Sequence, residues 1–133
     1  MYKLFVHQDA EGDLEQLWTS DPTAAARIGV ILEECEGAEG LDANQDLLDH
    51  LTTHNFNDAA INVSKWLAHW NKGTNLWRLK LWSLESGSTR YRIIYAFVPG
   101  KRHYHVLAIA PRYFNYEASH ELTKRILRAY EEL

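Results

Sequence analysis

Basic side chains at alternating positions in the C-terminal half of this chain could bind a phosphodiester and assist its cleavage. They form three pairs, each spaced two residues apart: Arg78 and Lys80, Arg90 and Arg92, and His103 and His105. Guanidinium groups hold phosphate oxygens through paired hydrogen bonds, ammonium adds a point charge, and imidazole exchanges protons near neutral pH. The pattern therefore predicts a site for an anion, with RNA or another polyphosphate as the first candidate.

The distribution of charge along the 133-residue chain favours the same interpretation. Residues 72–112 carry eight Lys or Arg and one acidic residue, whereas residues 1–71 carry three basic and thirteen acidic residues. The net charge of −4 conceals this contrast. A basic segment on an acidic scaffold predicts that an anionic partner binds at one place on the surface.

Aromatic residues follow the basic segment directly. Tyr113, Phe114 and Tyr116 come just after Arg112, and aromatic rings of this kind stack on unpaired bases. Further RNA-binding positions are predicted around the paired residues, at Arg90, Lys101, Arg102 and His103. The plainer alternative is a solvated sheet face whose charges only keep an edge soluble, but the repetition on successive strands with one acidic residue favours a functional surface.

A metal centre is not predicted. His103 and His105 place two imidazoles on one strand face, but no third ligand stands at a diagnostic spacing. We accordingly expect neither a metal nor a cofactor. The lone Cys35 lies on an apolar helical stripe and is expected to be a buried small hydrophobic residue rather than a reactive thiol.

The N-terminal elements that position these residues can be predicted from periodicity. A strand is expected at residues 4–6 and a short helix at residues 14–18. Asp21 and Pro22 have the types preferred at the N-cap and first position of a second helix, and Gly37 is expected to end it.

Residues 37–73 are predicted to form a helical insertion. A loop leads to Asp42 and Gln45, which resemble a capping box for a helix that carries Leu47, Leu48 and Leu51. Another helix is expected to begin near Asp58. Its apolar face would carry Val63, Trp66, Leu67 and Trp70.

Beyond Gly73 the apolar period changes to two, which predicts a three-stranded antiparallel meander up to Arg112. Residues 86–88 are expected to form its first turn, and residues 98–101 a type II turn with Gly100 at the second central position. A C-terminal helix follows from Leu122. If the strand registers align, one sheet face presents Arg78, Lys80, Arg90, Arg92, His103 and His105.

These segments resemble the RelE/ParE superfamily of type II toxin–antitoxin toxins. The resemblance covers residues 1–36 loosely and residues 75–128 more closely. It is carried by four segments, namely Trp77–Leu81, Arg90–Tyr95, Val106–Arg112 and Lys124–Leu127. It implies a single RelE-like α+β domain with an N-terminal strand and helical hairpin, the insertion, the meander and a terminal helix.

The RelE-like branch implies a metal-independent endoribonuclease that cleaves messenger RNA at the ribosome by activating the ribose 2′-OH. By resemblance, Arg92 and Arg112 would stabilise the phosphorane charge, and Arg78 and Lys80 would place the substrate. The family's catalytic tyrosine corresponds to Tyr116. Either this residue or His105 would transfer protons.

The resemblance implies a cognate antitoxin protein, messenger RNA and the ribosome as partners, and leaves open whether toxin and antitoxin form a larger oligomer. No apolar run has the length of a spanning helix, and the N-terminus lacks a signal-peptide core. The expected location is therefore the cytoplasm, without a membrane. Two other functions stay open: a ParE-like inhibitor of DNA gyrase, and a non-catalytic binding module of the same fold.

Overall fold

A computed structural model of the chain describes residues 1–37, 43–67, 72–85, 90–111 and 120–133. Within these ranges the fold is α+β, with a five-stranded mixed sheet and four α-helices. The strands are β1 (Lys3–Val6), β2 (Ile61–Lys65), β3 (Leu76–Leu81), β4 (Tyr91–Val98) and β5 (His103–Pro111). The helices are α1 (Gln8–Ser20), α2 (Pro22–Glu36), α3 (Gln45–His50) and α4 (Glu121–Glu131), and a 3-10 helix spans Trp82–Leu84.

The strands lie in the order β1-β5-β4-β3-β2. The predicted antiparallel pairing of β3 with β4 and of β4 with β5 is confirmed. The sheet is nevertheless wider than the predicted meander, because β2 adds antiparallel to β3 and β1 adds parallel to β5. The predicted turn at residues 86–88 lies outside the described residues.

The second helix of the hairpin follows the sequence prediction closely, whereas α1 begins at Gln8, six residues before the predicted start. Asp21 is the N-cap of α2, where its Oδ1 accepts a hydrogen bond of 3.2 Å from the amide of Ala24. Pro22 takes the first helical position, where a missing N–H costs nothing. Gly37 ends the helix with a φ of 69°, a left-handed conformation that favours glycine.

The helix predicted near Asp58 is wrong, because β2 occupies this part of the chain. Asp58 closes a tight turn in which its Oδ1 accepts hydrogen bonds of 2.8 Å from the amides of Ala60 and Ile61. Val63 then packs in the core beneath α1 and α2, whereas Trp66 packs on the opposite sheet face. Their three-residue spacing suits a helix, but the two side chains do not share a face. Trp70 lies outside the described residues.

Two local turn predictions also differ from the structure. The N-cap of α3 is Asn44, which accepts a hydrogen bond from the amide of Leu47, while Gln45 bonds the backbone of Tyr2 instead of completing a capping box. The predicted partner Asp42 lies outside the described residues. In the β4–β5 turn the positive φ of 56° belongs to Arg102 and not to Gly100, so the turn is not type II.

Hydrophobic clusters cover both faces of the sheet. The larger one lies beneath α1, α2 and α3 and contains the buried Cys35, as predicted. Burial and the neighbouring carboxylates raise the pKa of its thiol to about 12. The smaller cluster packs Ile126 and Ala129 of α4 on the opposite face. Arg125 secures α4 by donating two hydrogen bonds to Asp13 of α1.

Candidate anion-binding site

Three neighbouring strands place Asn62, Lys80 and Arg92 in one transverse row. Asn62 of β2 is paired with Lys80 of β3, and Lys80 is paired with Arg92 of β4. Directly opposed residues of antiparallel strands share a face, with Cβ atoms about 5 Å apart. The row therefore brings together two basic groups that are twelve positions apart in sequence.

A second row lies beside the first. Ser64 is paired with Arg78, whose Nε donates a hydrogen bond of 3.3 Å to Ser64 Oγ. Together the two rows line a small cavity of about 120 Å³. Its lining residues are Asn62, Ser64, Arg78, Lys80 and Arg92.

The position of the cavity follows from strand alternation. Leu76 and Ile94 occupy the same sheet face as Arg78 and belong to the dry cluster beneath α4. The cations therefore stand at the margin of a water-poor surface. Attraction between charges is stronger there than in bulk water, so a bound phosphate would be held more firmly than on an open face.

Glu85 provides the negative charge next to this site. It follows the 3-10 helix and is largely buried, with 15% of its side chain exposed. Its Oε1 accepts a hydrogen bond of 2.5 Å from Arg92 Nη1, and its Oε2 lies 3.5 Å from Arg90 Nε. Arg92 Nη1 also donates to the carbonyl of Tyr91. Glu85 therefore restrains Arg92 through one end of its guanidinium group.

An aromatic ring lies next to the cavity. The Lys80 ammonium stands 4.9 Å from the ring centroid of Trp82, within the range of a cation–π contact. The Trp82 indole donates a hydrogen bond to Asn57 Oδ1 and is 38% exposed. An exposed, fixed ring beside a cation is a suitable surface for stacking of a base.

The two strand histidines do not join this cavity. His105 is paired with Ala96, four residues along β4 from Arg92, which corresponds to about 13 Å. It instead stacks on Phe5 of β1 at 5.3 Å, and His103 contacts the same ring edge-on at 5.0 Å. Burial, and secondarily the positive field of His103, lowers the pKa of His105.

The predicted face with six basic residues is therefore divided. Arg78, Lys80 and Arg92 meet in the cavity, whereas His103 and His105 lie at a separate end of the sheet, and the cluster beneath α4 occupies the space between. The physical reason is that a shared face does not imply proximity when the residues are far apart along the strands.

The other predicted site residues are distributed as follows. Arg90 pairs with Glu85 just before β4. Lys101 and Arg102 are exposed in the β4–β5 turn, near the histidines, and the Arg102 guanidinium lies 5.6 Å from the ring centroid of Tyr2. The remaining four, Arg112, Tyr113, Phe114 and Tyr116, lie outside the described residues.

Sequence reasoning missed three residues of the site: Asn62, Ser64 and Glu85. The predicted helix includes the first two, although Ile61 and Val63 alternate with them in the period of a strand. Composition identifies Glu85 only as the one acidic residue of the basic segment. An isolated acidic residue among arginines was a usable signal of an ion pair.

Comparisons with models of protein families, with curated proteins and with solved structures found no match to this chain. No helix within the described ranges has the length and apolar character needed to cross a membrane. Within the same ranges, no group of three His, Cys, Asp or Glu side chains is arranged to hold a metal ion.

Proposed function

We propose that this protein is the toxin of a type II toxin–antitoxin system and acts as a RelE-like, ribosome-associated endoribonuclease on messenger RNA. The observation that carries the proposal is the cavity in which Arg78, Lys80 and Arg92 converge. Three cations around a space of about 120 Å³ suit a single phosphoryl group. The sequence resemblance to RelE/ParE toxins supplies the reaction and the cytoplasmic setting with an antitoxin partner.

In the proposed reaction, the ribose 2′-oxygen attacks the adjacent phosphorus and the 5′-oxygen of the next nucleotide leaves. The products are a 2′,3′-cyclic phosphate and a free 5′-hydroxyl, and a proton passes from the attacking to the leaving oxygen. Arg92 would stabilise the added negative charge on the phosphorane, and Arg78 and Lys80 would place the substrate. By the resemblance alone, Arg112 would be a further charge stabiliser and Tyr116 the proton donor.

A non-catalytic RNA-binding module is the second candidate, and one observation favours it. Among the described residues, the cavity is lined by cations and neutral polar groups, without the carboxylate or imidazole that usually transfers protons. Under this alternative the same cavity would hold a phosphate without cleaving the chain.

The test is induced expression in a bacterial host, followed by growth, bulk translation and mapping of messenger RNA ends. Wild type is compared with Arg92→Ala and Lys80→Ala, and with Arg128→Ala on the exposed side of α4 as a matched loss of one cation. For wild type we expect growth arrest with cleaved messenger RNA. Each cavity variant should lower the cleavage rate about 100-fold or more, because a group that stabilises the phosphorane or places the substrate is lost. Circular dichroism verifies that each variant is folded.

Other results would select the other functions. Normal growth with folded wild-type protein that still binds RNA would favour the binding module. Arrest with intact messenger RNA and a loss of DNA supercoiling activity would indicate a gyrase inhibitor and contradict the proposal. Equal cleavage by Arg92→Ala and wild type would remove the cavity as the active site.

A further inference from the structure

The cavity has two chemically different walls. Strands β3 and β4 contribute Arg78, Lys80 and Arg92, whose side chains only donate hydrogen bonds. Strand β2 contributes Asn62 and Ser64, whose oxygens can accept them. A ligand made of phosphate oxygens alone would match the first wall but would leave the Asn62 oxygen of the second wall without a donor.

The orientation of Asn62 is set by its neighbours. Its Nδ2 donates a hydrogen bond of 3.3 Å to the carbonyl of Phe56, in the turn that precedes β2. Within the described residues, no side chain donates to the Oδ1 atom of this amide. Asn62 stands directly opposite Lys80 and both residues line the cavity, so an acceptor and a cation are available to the same ligand.

Ser64 plays a complementary part. Its Oγ accepts the hydrogen bond from Arg78 Nε, so one lone pair of the hydroxyl is engaged. The hydroxyl proton and the second lone pair can still serve a ligand, since a serine hydroxyl has one donor and two acceptor positions. The β2 wall can therefore bind a hydroxyl group beside a phosphate.

We infer that β2 makes the cavity selective for ribonucleotides, with Asn62 and Ser64 hydrogen-bonding a ribose 2′-hydroxyl while the cations hold the adjacent phosphate. This inference rests on the proposed function and names the groups that distinguish RNA from DNA in the same site. A deoxyribose lacks the hydroxyl and leaves Asn62 Oδ1 without a donor. The cavity is smaller than pockets that enclose whole ligands, so the base stays outside and its identity is not read there.

The test measures binding of fluorescent single strands of about 12 nucleotides by anisotropy. Three probes share one base sequence: RNA, DNA with deoxyuridine in place of thymidine, and 2′-O-methyl RNA, which lacks the hydroxyl proton. The variants are Asn62→Ala with Ser64→Ala, and Ser20→Ala on α1 as a remote control that also removes one serine hydroxyl.

Wild type is expected to bind RNA at least about three-fold more tightly than either other probe, the scale of one neutral hydrogen bond. In the β2 double variant the ratio of RNA to DNA affinity falls to about one, while Ser20→Ala keeps the wild-type ratio. Equal binding of the three probes by wild type would overturn the inference, as would a double variant that keeps the ratio. If the double variant does not fold, the wild-type ratios decide alone.

Failure of the proposed function has a different signature. Two results would overturn the anion site itself and the inference with it. The wild-type protein binds none of the three probes, or the Arg92→Ala variant binds them with the same affinity as wild type. Tight binding of RNA and DNA that depends on Arg92 but not on the sugar would leave the anion site in place and remove only the role of β2.

Discussion

Glu85 illustrates how one residue can stabilise the fold and oppose the ligand at the same time. It is largely buried between Arg90 and Arg92, and its carboxylate compensates two positive charges that would otherwise repel each other. The same carboxylate weakens the positive field that would attract a polyanion under the proposed function. Stability and affinity should therefore respond to its charge in opposite directions.

Replacing Glu85 by Gln should lower the free energy of unfolding by about 1 kcal/mol, because two partly buried guanidinium groups lose their counter-charge. The same change should tighten RNA binding at low salt. Urea unfolding and anisotropy measure the two effects, and Glu15→Gln on the exposed face of α1 controls for the change in net charge. Weaker RNA binding in the variant would mean that Glu85 acts mainly by holding Arg92 in its binding orientation.

At this scale the basic residues themselves could be predicted from the sequence, since two-residue spacing on β3 puts Arg78 and Lys80 on one face. Their neighbours could not. Which residue stands opposite Lys80 depends on strand register, and register is set by packing and turn geometry that residue types alone do not specify. Only the pairing of β2 with β3 therefore identifies Asn62 as a residue of the site.

Among the elements, the short helix α3 depends on the sheet for its position. With six residues it is too short to be stable alone. The buried hydroxyls of Tyr104 and Tyr95 donate hydrogen bonds to the carbonyls of Leu48 and Leu51, at the C-terminal end of this helix. The Tyr95 bond satisfies the carbonyl of Leu51, which the helix end leaves without a partner. The Tyr104 bond gives the carbonyl of Leu48 a second donor besides the amide of Leu51. Both bonds anchor the segment that leads to β2.

Tyr104→Phe should therefore destabilise the protein by about 1 kcal/mol, because the buried carbonyl of Leu48 loses one of its two donors and keeps only the amide of Leu51. Thermal or urea unfolding measures this loss. Tyr2→Phe removes a hydroxyl whose bond to Asp49 is exposed, so it should cost much less. Equal stability of wild type and Tyr104→Phe would show that this contact does not anchor α3.

The prediction of elements succeeded where capping residues and apolar periodicity agreed, as in α2. It failed where the local sequence fits two different structures. The segment that forms β2 contains apolar residues at both strand and helix spacing, and only pairing with β3 decides between them. A similar conflict affects the β4–β5 turn. Pro99 and Gly100 favour type II, but the backbone of Arg102 must reach β1, where its carbonyl accepts a hydrogen bond from Lys3.

Among the described residues, the acid-rich helices and the cavity cations lie on opposite faces of the sheet. The acid-rich helices α1 and α2 pack on one face, and the cavity cations project from the other. This arrangement lets a protein of net charge −4 present a positive surface to a polyanion. Under the proposed function, it would also orient an approaching nucleic acid toward the cavity and away from the helices.

The separation predicts a modest dependence of RNA affinity on salt. If the three cavity cations make the phosphate contacts, the slope of log K against log salt for single-stranded RNA should be about −2, at about 0.7 per contact. Arg92→Ala should make this slope shallower by about 0.7, whereas Arg128→Ala, a lost cation outside the cavity, should leave it unchanged. Anisotropy titrations across a series of salt concentrations measure both slopes. A wild-type slope several-fold steeper would mean that the exposed Lys101 and Arg102 also bind phosphates, which would extend the RNA contact surface along the sheet to the β4–β5 turn.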